Sequence, residues 1–239
     1  GRSNIYSTKP GLFIYSVNNL IKLNNNSKIA ISALRPFSKV EQNQELITAK
    51  VIPYGIDKKL LQRNSLILKD TFKVVPFQKK NITLIQTFDN KINQKLIIKS
   101  RNITQRRLES CGIKRSEDII IPHNENILRD KIKICIDKNV DIILIIGPHA
   151  ITHIKDVIPN AIKMSGAKII RFGIPVEPGN LLLLSKFKSV ERDIYIIGMP
   201  SCAKSPKENG LDWVLWRILC NINFKNSNIN ELSVGGLIK

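Results

Sequence analysis

Between residues 82 and 197 the chain repeats one pattern: a short, uninterrupted apolar run, then a polar stretch with helical spacing, then another apolar run. The purest case is DIILIIG at 141–147, and the segments 82–86, 118–122, 168–172, 181–184 and 194–197 read the same way. A strand with one wet face alternates polar and apolar residues. A strand without alternation is covered on both faces, and intervening helices supply the cover. The pattern predicts an α/β fold, a three-layer doubly wound and mainly parallel sheet. One helix ends near Cys111 with Gly112 as its cap. A second spans 125–138 with Ile127, Leu128, Ile132, Cys135 and Ile136 on one face. A third covers 156–165, and the last runs to about Cys220. The links between the runs at 168–172, 181–184 and 194–197 are too short for crossover helices, so antiparallel pairing is expected at one sheet edge.

The 239 residues hold one large domain or two modest ones. Residues 1–78 read as a small β-rich unit, truncated at its start, with one helix at 15–23 that presents Val17, Leu20 and Ile21 on one face. Strand-like runs follow at 28–33 and 46–52, and Pro53, Gly55 and Pro76 punctuate the exit. The α/β domain is placed at 79–222. Residues 223–239 read as a polar tail or linker, loose until 232–237. The chain opens on Gly1, with no charged-then-apolar leader, and is expected to be a piece of a longer protein. No run reaches the roughly 20 apolar residues of a membrane helix, so a cytoplasmic location is expected and no membrane partner. Cys111, Cys135, Cys202 and Cys220 form no CxxC pair and read as structural thiols.

In open parallel sheets ligands bind beyond the carboxyl ends of the strands. Three strand ends carry the polar and conformationally special residues: GPHA after 146, GIPVEPGN at 173–180 and GMPSCAKSPKENG at 198–210. Glycine and proline supply backbone shapes and close approaches, whereas serine, asparagine and lysine supply hydrogen bonds and charge. The last helix has two candidate starts. Ser205-Pro206-Lys207-Glu208 has the capping-box form, and Asn209 with Asp212 offers another. Either start aims free N–H groups at the crevice, where a helix end favours an anion by about 0.3–1 kcal/mol. The turn Glu177-Pro178-Gly179-Asn180 reads as an ordinary tight turn or as a ligand contact through Gly179 and Asn180.

His149, His153 and Asp156 have metal-like spacing, but Pro148 interrupts the helix that would align them, and no metal site is assigned. His123 shows no partner. Walker, Rossmann and nucleophile-elbow motifs are missing from the sequence. The formal charge of +19 attracts anions generally, but its lysines are scattered rather than interleaved with stacking aromatics, so nucleic acid ranks last among the partners.

Taken together, GIPVEPGNLLLL and GMPSCAKSPKENGLDWVLWRIL resemble the C-terminal signature of molybdopterin-binding proteins of molybdenum cofactor biosynthesis. The resemblance is to the subgroup in which this domain precedes a cytidylyltransferase-like domain. It extends to GRSNIYS (1–7), RPFSKV (35–40), AKVIPY (49–54), KDVIPNAI (155–162) and SVGGL (233–237). It implies a ligand, molybdopterin or the molybdenum cofactor, that is a flat pterin with a dithiolene and a terminal phosphate. It also implies a nucleotidyltransferase domain after Lys239 and molybdenum enzymes as eventual acceptors, and leaves room for a homo-oligomer.

The residues implied for ligand binding are Gly147, Pro178, Gly179, Asn180, Gly198, Pro200, Ser201, Lys204 and Ser205, with Lys204, Ser201 and Ser205 on the phosphate. If the chain is an enzyme, it is a transferase, and the resemblance to molybdenum insertion enzymes implies Asp89 and Asp156 as the catalytic pair, with Mg2+. Thr87-Phe88-Asp89-Asn90 keeps the aspartate of the TGDE-like loop of those enzymes but lacks its glycine and glutamate. Gly147-Pro148-His149-Ala150 likewise keeps only part of their glycine-serine loop.

Overall fold

The computed structural model describes residues 1–114, 117–190, 192–224 and 226–238. Two compact units are present, residues 1–78 and residues 79–239.

The first unit contains β1 (Arg2–Tyr6), β2 (Gly11–Tyr15), α1 (Val17–Asn24), β3 (Ile29–Ala33), β4 (Ser38–Val40), β5 (Glu45–Val51), α2 (Lys58–Thr71) and β6 (Phe72–Val75). Among the described residues it forms two three-stranded antiparallel sheets, ordered β1-β5-β3 and β4-β2-β6. Phe13 stacks on Phe72 at 5.9 Å, in a core with Leu23, Ile31 and Val40.

Two expectations fail in this unit. The first helix starts at Val17 because the Ser16 hydroxyl caps the amide of Asn19. Its buried residue is Leu23, while Val17 and Ile21 are 48% and 55% exposed. A second helix, α2, also stands where none was expected, started by the Asp57 carboxylate accepting from Lys59 N.

The second unit continues with β7 (Ile82–Phe88), α3 (Gln94–Glu109), β8 (Glu117–Pro122), α4 (Glu125–Asp137), β9 (Ile142–Ile146), α5 (Val157–Met164), β10 (Lys168–Phe172), β11 (Leu183–Lys188), β12 (Asp193–Gly198), α6 (Gly210–Leu219) and α7 (Asn226–Asn230). Its described residues form one six-stranded sheet, β10-β11-β12-β9-β7-β8. Strands β12, β9, β7 and β8 are parallel, and β11 pairs antiparallel with both neighbours. The mainly parallel α/β architecture and the antiparallel edge are as the sequence pattern predicts.

Along β9 the residues alternate between two dry faces. Ile143 and Ile145 join Ile85 and Ile196 under α4 and α5, where Leu128, Ile132, Ile158 and Ile162 complete the core. Ile142 and Leu144, also fully buried, point the other way. On that second face α3 and α6 are joined by a buried ion pair. Burying each of the isoleucine and leucine side chains of these two faces contributes about 1.5–3 kcal/mol. Ile127, expected on the buried face of α4, is 40% exposed.

Two boundaries move. The leucine run at 181–184 only partly belongs to its strand, because Leu182 N donates to Gly179 O and Leu182 O accepts from Gly173 N, closing a turn first. The segment from 223 onward, expected as a loose tail or linker, docks instead. Phe224, Ile229 and Leu232 are buried, and Glu177 N donates to Gly236 O at 2.7 Å. Gly236 is needed there because a Cβ would lie 2.3 Å from Pro175 O. The tail's Lys225 and Lys239 lie outside the described residues. No helix among the described residues is long and apolar enough to cross a membrane.

Candidate functional site

Strand β8 lies on one side of β7 and β9 on the other, so the chain changes direction between β7 and β9. Beyond the carboxyl ends of such a pair a crevice opens where the two connections diverge. A cavity of about 280 Å3 occupies this position. Phe88, Leu96, Ile97 and Ile146 give it apolar walls. Gln86 and Ser100 line it as buried polar residues, and Lys91, His149 and Lys204 bring basic groups.

Lys204 arrives on a 3-10 turn, Ser201–Lys204, directly after β12. Its Nζ donates to Gly147 O at 3.0 Å and Pro148 O at 3.2 Å, tying the loop after β12 to the loop after β9. An ammonium has three donors, so one remains for a ligand. Burial lowers the pKa of Lys204 from its ordinary value. The same partial desolvation strengthens the attraction of its ammonium form for an anion.

The start of α6 is settled by a residue on another helix. Asn209 caps the helix, its Oδ1 accepting from Leu211 N at 3.0 Å, and Asp212 Oδ2 accepts from Asn209 N at 2.9 Å. Arg107 on α3 donates two hydrogen bonds to the Asp212 carboxylate, at 2.7 and 2.6 Å. It also donates to Ser205 O, and to Lys207 O at 3.1 Å. The capping box at Ser205 is therefore not used. Nor is the helix end free for an anion: Gly210 N donates to Pro178 O, and Asp212 supplies the carboxylate that a ligand would otherwise bring.

The implied ligand residues fall into two sets. Gly147 and Lys204 line the cavity, whereas Pro178, Gly179, Asn180, Gly198, Pro200, Ser201 and Ser205 are not among its lining residues; of the implied catalytic pair, Asp89 lines it and Asp156 does not. Gly179 has φ +129°, and a Cβ there would lie 2.5 Å from Gly210 N, so its lack of a side chain serves the packing of a turn on α6. At Gly198 a Cβ would meet Ile151 Cδ1 at 2.6 Å. Asn180 and Ser201 are exposed, while Pro200 is buried and Pro178 and Ser205 are half-buried. Ser205 Oγ accepts from Lys207 N.

Asp89 and Asp156 serve different loops. Asp89 Oδ2 pairs with His149 Nε2 at 2.9 Å, whereas Asp156 Oδ2 accepts from Thr152 N and His153 N at 3.0 and 3.1 Å. His153 Nδ1 accepts from Lys155 N. The spacing of His149, His153 and Asp156 thus brings no ligand set together. Among the described residues no group of three His, Cys, Asp or Glu is placed to hold a metal ion, Mg2+ included.

His123, which showed no partner in the sequence, shares a 2.7 Å hydrogen bond with Thr87 Oγ1 through Nδ1, linking the ends of β7 and β8. Burial lowers its pKa below 6.5, with His149 adding to the shift and Asp89 and Asp156 opposing it. The folded protein therefore resists protonation that the unfolded chain accepts. This stability is fully present above pH 6.5 and is lost as the pH falls from there through the lowered folded-state value. Urea midpoints measured from pH 7.5 to pH 5 should show that loss, and His123→Gln should flatten it.

Sequence reasoning missed Gln86, Ser100 and Arg107. Gln86 did carry a signal: it is the one amide within the otherwise apolar and hydroxyl run ITLIQTF. Arg107 stands four residues after Ile103, at a core position of α3.

No family model matches the chain, and no curated protein matches it. Among solved structures it is similar to the tungsten cofactor synthesizing protein MoaB from Pyrococcus furiosus, at 12% identity over 64% of this chain and 98% of that one, with a TM-score of 0.42. It is also similar to a protein from Corynebacterium diphtheriae assigned provisionally to molybdenum cofactor biosynthesis, at 13% identity over 64% and 97%, with a TM-score of 0.40. A third is the protein CinA, of unknown function, from Thermoplasma acidophilum, at 10% identity over 50% and 89%, with a TM-score of 0.32.

Proposed function

We propose that the unit spanning residues 79–239 binds molybdopterin during molybdenum cofactor biosynthesis, in the cavity between the ends of β7 and β9. The observation that carries the reading is Lys204. It comes from the loop whose sequence resembles molybdopterin-binding proteins, and it reaches the central loop at Gly147 inside a cavity with apolar walls. A flat ring suits those walls, and a terminal phosphate suits Lys204 and Lys91 at the cavity. The scattered positive charge draws such an anion toward the protein without specifying it.

By the same resemblance, the bound molecule is presented to a cytidylyltransferase-like domain of the full-length protein and passes on to molybdenum enzymes. Insertion of molybdate is the enzymatic alternative, with Asp89 and Asp156 as its acidic pair. It ranks second because each carboxylate already has partners within the protein, Asp89 in His149 of the loop after β9 and Asp156 in the amides of its own loop.

Titration of the full chain with molybdopterin tests the reading. Lys204→Ala is expected to weaken binding about tenfold or more, the worth of one charge-assisted hydrogen bond. Asn180→Ala, an exposed turn residue outside the cavity lining, is expected to retain wild-type affinity. Wild-type affinity in Lys204→Ala would remove the cavity from consideration.

A further inference from the structure

Two polar side chains in the cavity have hydrogen-bonding capacity that the protein does not use. Gln86, 1% exposed, spends one amide proton on Ile97 O at 3.3 Å, and no partner within the described residues takes its second proton or its Oε1. Ser100, 2% exposed and one turn further along α3, has no hydrogen-bond partner for its hydroxyl among the described residues. Neither side chain has an atom that is both sealed from solvent and unpaired, so the unused groups open onto the cavity both residues line.

A ligand that displaces water from these groups without pairing them loses about 1–3 kcal/mol for each, a penalty that leucine and alanine in the same space would not impose. The polar identities therefore point to something the cavity takes in. The set is also directional. It offers two donors, the free Nε2 proton and the Ser100 hydroxyl, and accepts through Gln86 Oε1 and, when its proton turns away, through the Ser100 oxygen. Its complement is one donor next to an acceptor with two lone pairs, that is, an N–H beside a C=O. An amidine edge, with an amino group beside a ring nitrogen, has a single lone pair, for which the two protein donors compete.

We propose that Gln86 and Ser100 are the specificity-determining residues of the cavity, reading the lactam edge of a flat heterocycle whose anionic substituent lies toward Lys91 and Lys204. This rests on the assignment of the cavity to a pterin-class ligand and adds which edge of the ring is read and by which atoms. It moves recognition of the ring from Gly179 and Asn180 to two residues on β7 and α3.

A matched pair of probes isolates the edge: pterin-6-carboxylate, which is 2-amino-4-oxo, and 2,4-diaminopteridine-6-carboxylate, which has the same size and carboxylate but an amidine edge. The full chain is expected to bind the oxo compound about tenfold or more tightly than the diamino compound, because a site built around a hydrogen bond discriminates against the analogue that cannot complete it. Gln86→Leu should abolish the preference. Ser100→Ala, which removes a single oxygen, should reduce it several-fold without lowering the melting temperature, and so carries the test if Gln86→Leu fails to fold. Lys204→Ala should weaken both probes equally. Equal binding of both probes by the wild type, still weakened by Lys204→Ala, overturns the edge reading and leaves the cavity assignment standing. Failure of both probes to bind the wild type overturns both readings, and tighter binding of the diamino probe overturns the edge reading.

Discussion

Replacing Arg107 with methionine is expected to lower stability by about 3–5 kcal/mol, the effect of leaving one partner of a buried ion pair alone. The side chains of Arg107 and Asp212 are 7% and 8% exposed, and the guanidinium makes both of its bonds to the carboxylate from one nitrogen. The other terminal nitrogen holds the carbonyls of Ser205 and Lys207, so the same side chain fixes the loop that leads from the Lys204 turn into α6.

Without it, Asp212 keeps only the amide of Asn209 among these partners. Burial already raises the pKa of Asp212 and Arg107 opposes that rise, so the variant's pKa climbs further. A carboxyl whose folded pKa lies above its unfolded value gains relative stability as the pH falls, so the measured deficit should shrink between pH 7 and pH 5. Arg107→Lys should recover little, because an ammonium cannot span a carboxylate and two carbonyls at once. The double variant Arg107→Met with Asp212→Leu should recover most of the loss, short of the roughly 1 kcal/mol expected for the lost helix cap. Urea unfolding at the two pH values measures all of these, and a single-variant deficit under 1 kcal/mol would mean that the pair contributes little.

That ion pair also explains what the sequence could and could not tell. The central sheet was legible because strands buried on both faces contain almost nothing polar, and Ile142–Ile146 could be read without a partner. Helix α2 was not legible, because its inward positions include Asn64 and Thr71, which interrupt the apolar spacing that would have announced it. The docked C-terminal segment was hidden similarly. Its buried anchors, Phe224, Ile229 and Leu232, are spread through polar residues, and its hydrogen bonds run to Glu177, far away in sequence. At the site, two capping boxes stood four residues apart in SPKENGLD and either was chemically adequate. The choice fell to Asn209 and Asp212 through Arg107, a partner 105 positions away that no local window contains.

The motif pair that suggested a ligand makes a sharper prediction about folding than about binding. Gly179 has φ +129°, a conformation that residues with a Cβ avoid, and its missing Cβ would lie 2.5 Å from Gly210 N and 2.8 Å from Gly210 Cα. Neither atom can give way. Gly210 N donates to Pro178 O at 2.9 Å, and Gly210 sits where even a Cβ of its own would meet Ile174 Cδ1 at 2.7 Å. Backbone strain of about 1–3 kcal/mol and a backbone clash of similar size act together at Gly179→Ala, for a total of about 2–5 kcal/mol. Position 179 is outside the cavity lining, so the fraction of this variant that folds should bind molybdopterin with wild-type affinity once the titration is corrected for unfolded protein. Lys204→Ala should show the opposite signature, with lost affinity in a protein that remains folded. A Gly179→Ala protein that melted like the wild type yet lost the ligand would return the turn to the binding surface, and would make the close contact with α6 incidental.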